Sequence, residues 1–236
     1  LEARRPDVVG LQELKLTDEQ FPYERLRQAG YRAVAHGQKA WNGVAVLSRH
    51  PLEVIETGLV GQEEMGARLI LARTAELVFA SAYVPNGKSV DHADYRRKLR
   101  WLDALADRWA PWAGGEEPAV LCGDFNVCPA PIDSWNEEQL AGTIFHTEEE
   151  RVRFAALVGG GAVDLFRRLH PERQAFSWWD YRGGAFPRGH GLRIDVLLGN
   201  GVVDSRLRAA EIDRDFRKKI GELKPSDHAP VWADLV

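Results

Sequence analysis

The stretch Pro118-Ala119-Val120-Leu121-Cys122-Gly123-Asp124-Phe125-Asn126 reads as a buried strand that runs out into an acid and an amide. The glycine is expected to permit a sharp exit that turns Asp124 and Asn126 into a cleft. Further along, Ser226-Asp227-His228-Ala229-Pro230 precedes Val231-Trp232-Ala233-Asp234-Leu235, which alternates as a half-buried strand should. Either run alone is more often a surface turn. Two acidic strand-end clusters in one chain of this size point instead to a shared site.

Phosphoryl transfer needs a hard cation on carboxylate oxygens, an activated water, and donors that hold the phosphate while charge builds on it. Asp124, Asn126, Asp227 and His228 supply those groups, so the two runs together suggest a metal-dependent phosphodiesterase.

The chain has 236 residues, of which 44% are apolar, enough for one compact domain over residues 1–236 with a packed interior. No apolar run approaches the ~20 residues that span a bilayer, so a soluble protein with no membrane partner is expected, as a monomer. Cys122 and Cys128 match no zinc spacing and read as reduced thiols, hence a cytoplasmic location. The net charge of −4 excludes the whole-molecule attraction by which a basic protein is drawn to nucleic acid. Contact with such a partner falls to local patches and a bound cation. The candidates are Arg96-Arg97-Lys98-Leu99-Arg100, Arg167-Arg168 with Arg173, and Arg214 through Lys219, each by default a solvated helix face.

Strand-like segments recur at 8–14, 31–35, 43–48, 68–73, 76–84, 119–122, 176–181, 193–198 and 230–235. The clearest helix runs from Asp91 to about Trp109, with Leu99, Leu102, Leu105 and Ala106 as its apolar stripe. A second, Thr147 to Val158, opens on a capping box. Strands outnumber helices and a hairpin-length turn lies at Thr74-Ala75. The pattern predicts an α+β fold, two packed, mainly antiparallel mixed sheets with helices outside. Leu1 to Asp7 reads as the last turn or two of a helix, so an upstream segment is expected to be missing.

Four more features join the opening pair: Leu11-Gln12-Glu13, Tyr83-Val84-Pro85-Asn86-Gly87, Phe176-Ser177-Trp178-Trp179-Asp180-Tyr181 and Gly191-Leu192-Arg193-Ile194-Asp195. In this order and along the whole chain, the six resemble the exodeoxyribonuclease III branch of the AP endonucleases, within the endonuclease/exonuclease/phosphatase superfamily. The resemblance implies a four-layer αββα sandwich whose N-terminal strand is absent here, with Val8 to Leu14 meant to lie between two neighbours. It implies a Mg²⁺-dependent enzyme, with Mn²⁺ as a substitute, that acts on double-stranded DNA with abasic sites or 3′ ends. Glu13 corresponds to the principal metal ligand, with Asp227, Asp124 and Asn126 beside it. Asp124 corresponds to an acid/base, Asn126 to a phosphate donor, and Tyr83 to a hydroxyl beside the scissile phosphate. Trp178 is similar to the residue against the unpaired sugar or terminal base, with Leu192 in the loop near it, while Trp179 is expected in the core. Asn86 in the Pro-Asn-Gly turn, Arg68 and Lys88 suit phosphate contacts.

His228 and Asp195 match the family's histidine-carboxylate pair, and physics supports them independently. An imidazole beside an aspartate stays charged or correctly oriented and can donate to a phosphate oxygen that gains charge. Which of Asp124 and Asp195 takes the water proton is open at this level. Two other readings compete: a phosphatase or phosphodiesterase acting on phospholipid headgroups or inositol phosphates, and an inactive truncated form that only binds DNA.

Overall fold

The computed structural model describes residues 1, 3–219, 222 and 224–236. Strands β1 (Val8–Gln12), β2 (Arg32–His36) and β3 (Val44–Ser48) make a three-stranded antiparallel sheet in the order β1-β3-β2. A six-stranded sheet follows, from β4 (Leu52–Thr57), β5 (Leu69–Thr74), β6 (Leu77–Tyr83), β7 (Ala119–Asp124), β8 (Val163–Asp164) and β9 (Asp195–Gly199), in the order β4-β5-β6-β7-β9-β8. The two last strands, β10 (Leu207–Ile212) and β11 (Val231–Leu235), pair antiparallel.

Among the described strands only β6 and β7 run parallel, and a crossover helix, Ala93–Ala113, joins them. His92 caps that helix by accepting from the Asp94 amide at 3.0 Å. Its residues Tyr95, Leu99, Leu102, Leu105 and Trp109 fall at helical spacing and are all buried. Leu102, Leu105 and Trp109 pack on Leu69, Leu71, Val78, Ala80 and Leu121 of the six-stranded sheet, and the helix Glu148–Gly159 adds Phe154 and Leu157. The helix continues through Pro111 to Ala113, past the expected stop, since a proline in the last turn removes one bond only.

The opposite face of the sheet, through Ile70, Ala72, Phe79, Val120 and Cys122, meets Val44 and Val46 of β3, Ala210 and Ile212 of β10, and the buried Trp179. Beyond that layer, the short helix Tyr23–Gln28 places Leu26 with Phe21 and Tyr31 against Ala45 and Leu47. The stacking is helix, sheet, sheet, helix, as the sequence pattern implied.

Several expectations need correction. The 176–181 segment is not a strand: its bridges are Trp178 to Leu192 and Trp178 to His228, so the chain crosses between two loops instead of following one partner. β1, by contrast, pairs with β3 alone among the described strands and its five residues are half-buried, in line with the expectation that this strand lacks a second neighbour here. Gly123 is not the exit from its strand. It lies within β7, where φ is +152° and a Cβ would stand 1.8 Å from the Ala82 carbonyl oxygen, so close backbone approach requires the glycine. The exit is at Asn126, whose φ of +49° is left-handed. At the start of the chain, the Arg5 amide donates to the Leu1 carbonyl at 2.7 Å, a helical-type turn.

Candidate active site

Cross-strand pairing sets out the site. Tyr83 ends β6, Asp124 ends β7 and Asp195 begins β9, and in the ladder Tyr83 is opposite Asp124 and Asp124 is opposite Asp195. Directly paired residues share a face, so a phenol and two carboxylates stand in a row at one edge of the sheet. Glu13, just past β1, accepts a short hydrogen bond from the Tyr83 hydroxyl at one end of the row. At the other end, His228 directs Nδ1 at Asp195, 2.9 Å from Oδ2 and 3.1 Å from Oδ1. Five of the residues picked out in the sequence are thus contiguous, in the order Glu13, Tyr83, Asp124, Asp195, His228.

Asn126 turns back on Asp124. Its backbone amide donates to Oδ1 at 2.9 Å, and its side-chain Nδ2 donates to Oδ2 at 3.2 Å and to the Val84 carbonyl at 2.9 Å. Asn86 reaches Asn126 Oδ1 at 3.4 Å and accepts from the Lys88 amide with its own oxygen. Arg68 donates to the Tyr83 carbonyl at 3.1 Å and lies 4.8 Å from the centre of its ring, so it braces the tyrosine. Lys88 pairs with Asp94 at 2.7 Å.

The wall beside His228 holds Trp178, half-buried, whose indole donates to Asp227 at 3.2 Å. Leu192 packs there with Cys128, Phe145 and Ile194 and is largely buried. Trp179 is 1% exposed and belongs to the core. Both cysteines are buried free thiols, and burial pushes Cys122 up to about 12.

Burial raises the Asp124 carboxyl above the ordinary carboxylate range; His228 opposes this, while Asp195 and Glu13 add to it. For His228, burial pulls the imidazole down but is outweighed by the charge and hydrogen bond of Asp195, and Asp124 and Asp227 add to these, for a value of about 10. Burial likewise works against Glu13, but bonds from Lys15 and Tyr83 hold it below its usual range. The Tyr83 hydroxyl is raised by burial and by its bond to Glu13, and stays protonated.

Among the described residues no group of three or more His, Cys, Asp or Glu side chains is arranged to hold a metal ion. The donor set is still of the right kind for Mg²⁺, which binds through one or two carboxylates and completes its shell with water and substrate phosphate. Glu13 and Asp227 provide such carboxylates, and the Lys15 ammonium, 2.8 Å from Glu13, feels the charge of both.

Three supports escaped the sequence reading. Ser177, fully buried, accepts from the amides of Ile194 and Asp195 at 3.2 and 3.0 Å and so sets where Asp195 begins its strand. Arg193 is buried on Asp133 at 2.6 Å and Asp164 at 2.8 Å. Lys98 is fully buried. Its position three residues after Tyr95 and four before Leu102 places it on the apolar stripe, a signal that the basic run around it concealed. The other basic runs are largely in ion pairs as well: Arg167 with Asp133, Arg168 with Asp204 at 3.0 Å, and Arg173 with Glu211 at 2.8 Å. Arg217 is buried and lies over the Tyr181 and Phe186 rings.

Known proteins share this architecture. A family model described as the endonuclease/exonuclease/phosphatase family matches residues 1–228. Exodeoxyribonuclease III of Haemophilus influenzae is 33% identical, over 100% of this chain and 92% of that protein. Of solved structures, an AP endonuclease from Archaeoglobus fulgidus superposes with a TM-score of 0.94 at 33% identity, covering 100% of this chain and 91% of its own. A 3′ phosphatase from Neisseria bound to product DNA hairpin gives 0.94 at 34% identity with the same coverage. The site therefore sits in a phosphodiesterase scaffold, and the chain belongs to the endonuclease/exonuclease/phosphatase family.

Proposed function

We propose that the chain is a DNA repair nuclease that uses Mg²⁺, or Mn²⁺ in its place, to cut 5′ to abasic sites and to remove nucleotides from the 3′ ends of duplex DNA. The observation that carries this reading is the unbroken row from Glu13 to His228, which sets acid, donor and proton acceptor side by side. The relatives named for acting on DNA at such positions supply the substrate class.

The contacts support the following roles. Asp195 commits both oxygens to His228, whereas Asp124 has a carboxyl raised toward neutral pH and is oriented by Asn126. A base works best when its pKa lies near the working pH, so Asp124 takes the proton of the attacking water. With Nδ1 on Asp195, the His228 imidazolium presents Nε2 to a phosphoryl oxygen and meets the charge that grows there. Tyr83 fixes Glu13 by donating to it. A divalent cation on Glu13 and Asp227, with Asp124 and Asn126 behind, would supply positive charge against the phosphate. Trp178, with Leu192 packed behind it, presents an aromatic face to the sugar or base next to the cut. Asn86 and Arg68 border the same cleft.

Incubation of duplex DNA carrying an abasic analogue, with and without Mg²⁺, tests the reading. Incision only with the metal is expected. Turnover of inositol phosphates or phospholipid headgroups without incision would assign the site to other substrates, and binding of abasic DNA with no turnover would leave a binding protein.

A further inference from the structure

Lys98 stands where a helix of this kind normally places leucine or methionine. It is 0% exposed and shares its face with Tyr95, Leu99 and Leu102. Taking an ammonium out of water is costly unless every donor finds a partner. A lysine has three donors, and here all three are used. One goes to the carboxylate of Glu150 in a short contact, one to the carbonyl of Asn126 at 2.6 Å and one to the carbonyl of Asn86 at 3.4 Å. The Phe145 ring lies 4.8 Å away on its flank. Glu150 is anchored in turn, because its second oxygen accepts from the Thr147 amide at 3.1 Å and hydroxyl at 2.8 Å.

The two carbonyls belong to the loops that leave β6 and β7, the adjacent strands that deliver Tyr83 and Asp124. Asn126 is left-handed, so its carbonyl points into the protein at Lys98 while its amide groups point the other way, at Asp124. Without the ammonium, a buried carbonyl would lose its partner, and the turn that aims the amides would lose what holds it. Stability alone does not account for such an arrangement, since apolar residues commonly replace a buried ion pair without loss.

We propose that Lys98 is a positioning residue of the hydrolytic site: held by Glu150, it locks the backbones of Asn126 and Asn86 so that the Asn126 amides stay on Asp124. The proposal rests on the roles given above to Asp124 and Asn126.

The test is the double variant Lys98→Met/Glu150→Gln, which buries no charge and keeps an acceptor for Thr147. Three readings are taken: melting temperature, hydrogen exchange of the Asn126 backbone amide by NMR, and steady-state incision of abasic duplex. The melting temperature should fall by several degrees at most, since the two carbonyls lose their donor, and the protein should stay folded at the assay temperature. Exchange at Asn126 should quicken by about tenfold or more while Leu121 in the middle of β7 is unchanged. Incision should lose about 10- to 100-fold in kcat with KM shifted by less than about threefold. A second variant, Lys98→Arg, keeps the charge but cannot converge three donors on one point, and should loosen Asn126 in the same direction.

Unchanged exchange at Asn126 in the folded double variant overturns the proposal, whatever the chain hydrolyses. If both variants fail to fold, Lys98 is a determinant of folding and the proposal also falls. A parent protein that incises no DNA would remove the nuclease reading, while the exchange measurement would still decide what Lys98 does.

Discussion

His228 and Asp195, one in the loop before β11 and the other at the start of β9, meet with the imidazole Nδ1 within 3.1 Å of both carboxylate oxygens. The carboxylate holds the proton on the ring, and the ring neutralises the carboxylate. The protonation of His228 depends on that carboxylate.

That dependence sets the response to pH. The folded value of His228, about 10, lies above the roughly 6.5 of a free histidine. The stabilisation from the charged ring is therefore fully present below about 6.5 and is lost as the pH rises through the folded value. In Asp195→Asn the raising charge is gone, so the alkaline loss of stability and of activity should move toward neutral pH. NMR titration of the His228 ring in both proteins checks this, and an unshifted titration would show that Asp195 does not control the imidazole.

Asp124→Asn should lower kcat by about 10² or more, with DNA affinity changed little, because an amide cannot take the water proton. His228→Asn should lose activity in the same range, since a preorganised donor to the developing charge is removed. Single-turnover and steady-state kinetics separate kcat from KM. A rise in KM alone, in either variant, would place that residue in ground-state binding.

Removal of the carboxylate charge in Glu13→Gln should raise the Mg²⁺ concentration needed for half-maximal incision and reduce turnover, with the fold intact. Tyr83 and Lys15 donate to different oxygens of Glu13, and a glutamine oxygen can accept from only one of them, but both contacts lie at a partly exposed strand end, so circular dichroism should be unchanged. An unaltered Mg²⁺ titration would take Glu13 out of the metal site. In the parent enzyme, addition of a chelator should abolish incision, and added Mg²⁺ should restore it.

The adjacent tryptophans should behave in opposite ways. Trp179→Ala empties a site in the core between the two sheets and should cost about 3–5 kcal/mol of stability. Trp178→Ala should leave the melting temperature near that of the parent and weaken selection of abasic or 3′-terminal sites, since stacking on such a face is worth ~1–3 kcal/mol per base. Thermal melts and competition between abasic and intact duplex distinguish them. A large drop in melting temperature for Trp178→Ala would make it a second core tryptophan.

The strands that carry the site were legible because β6, β7 and β9 are apolar runs ending in polar residues, and both signals lie within a few positions of each other. The strands that went unseen lack that signal. β4 is an exposed edge with Glu53 and Glu56 in it, β10 is built from Leu-Arg-Ala-Ala-Glu-Ile, whose residues favour helices, and β8 has only two residues. Phe176 to Tyr181 misled in the other direction, since aromatic residues that line a wall have the composition of a strand. The residues of the contiguous row from Glu13 to His228 could be picked out from motif and spacing. Their supports could not, because whether a Lys98 or an Arg193 is solvated or buried depends on which face of a helix or loop meets a distant partner.

The row from Glu13 to His228 draws its members from near both ends of the chain and from three strands between them. No hairpin or isolated half of the sequence contains a working set, and the contacts that align the row are among those of greatest sequence separation. Such contacts form late, after most of the loop-closure entropy has been overcome. Catalysis should therefore recover last in a refolding experiment, after the sheets have regained their spectroscopic signal, and the regain of incision would time the final docking of the chain's two ends.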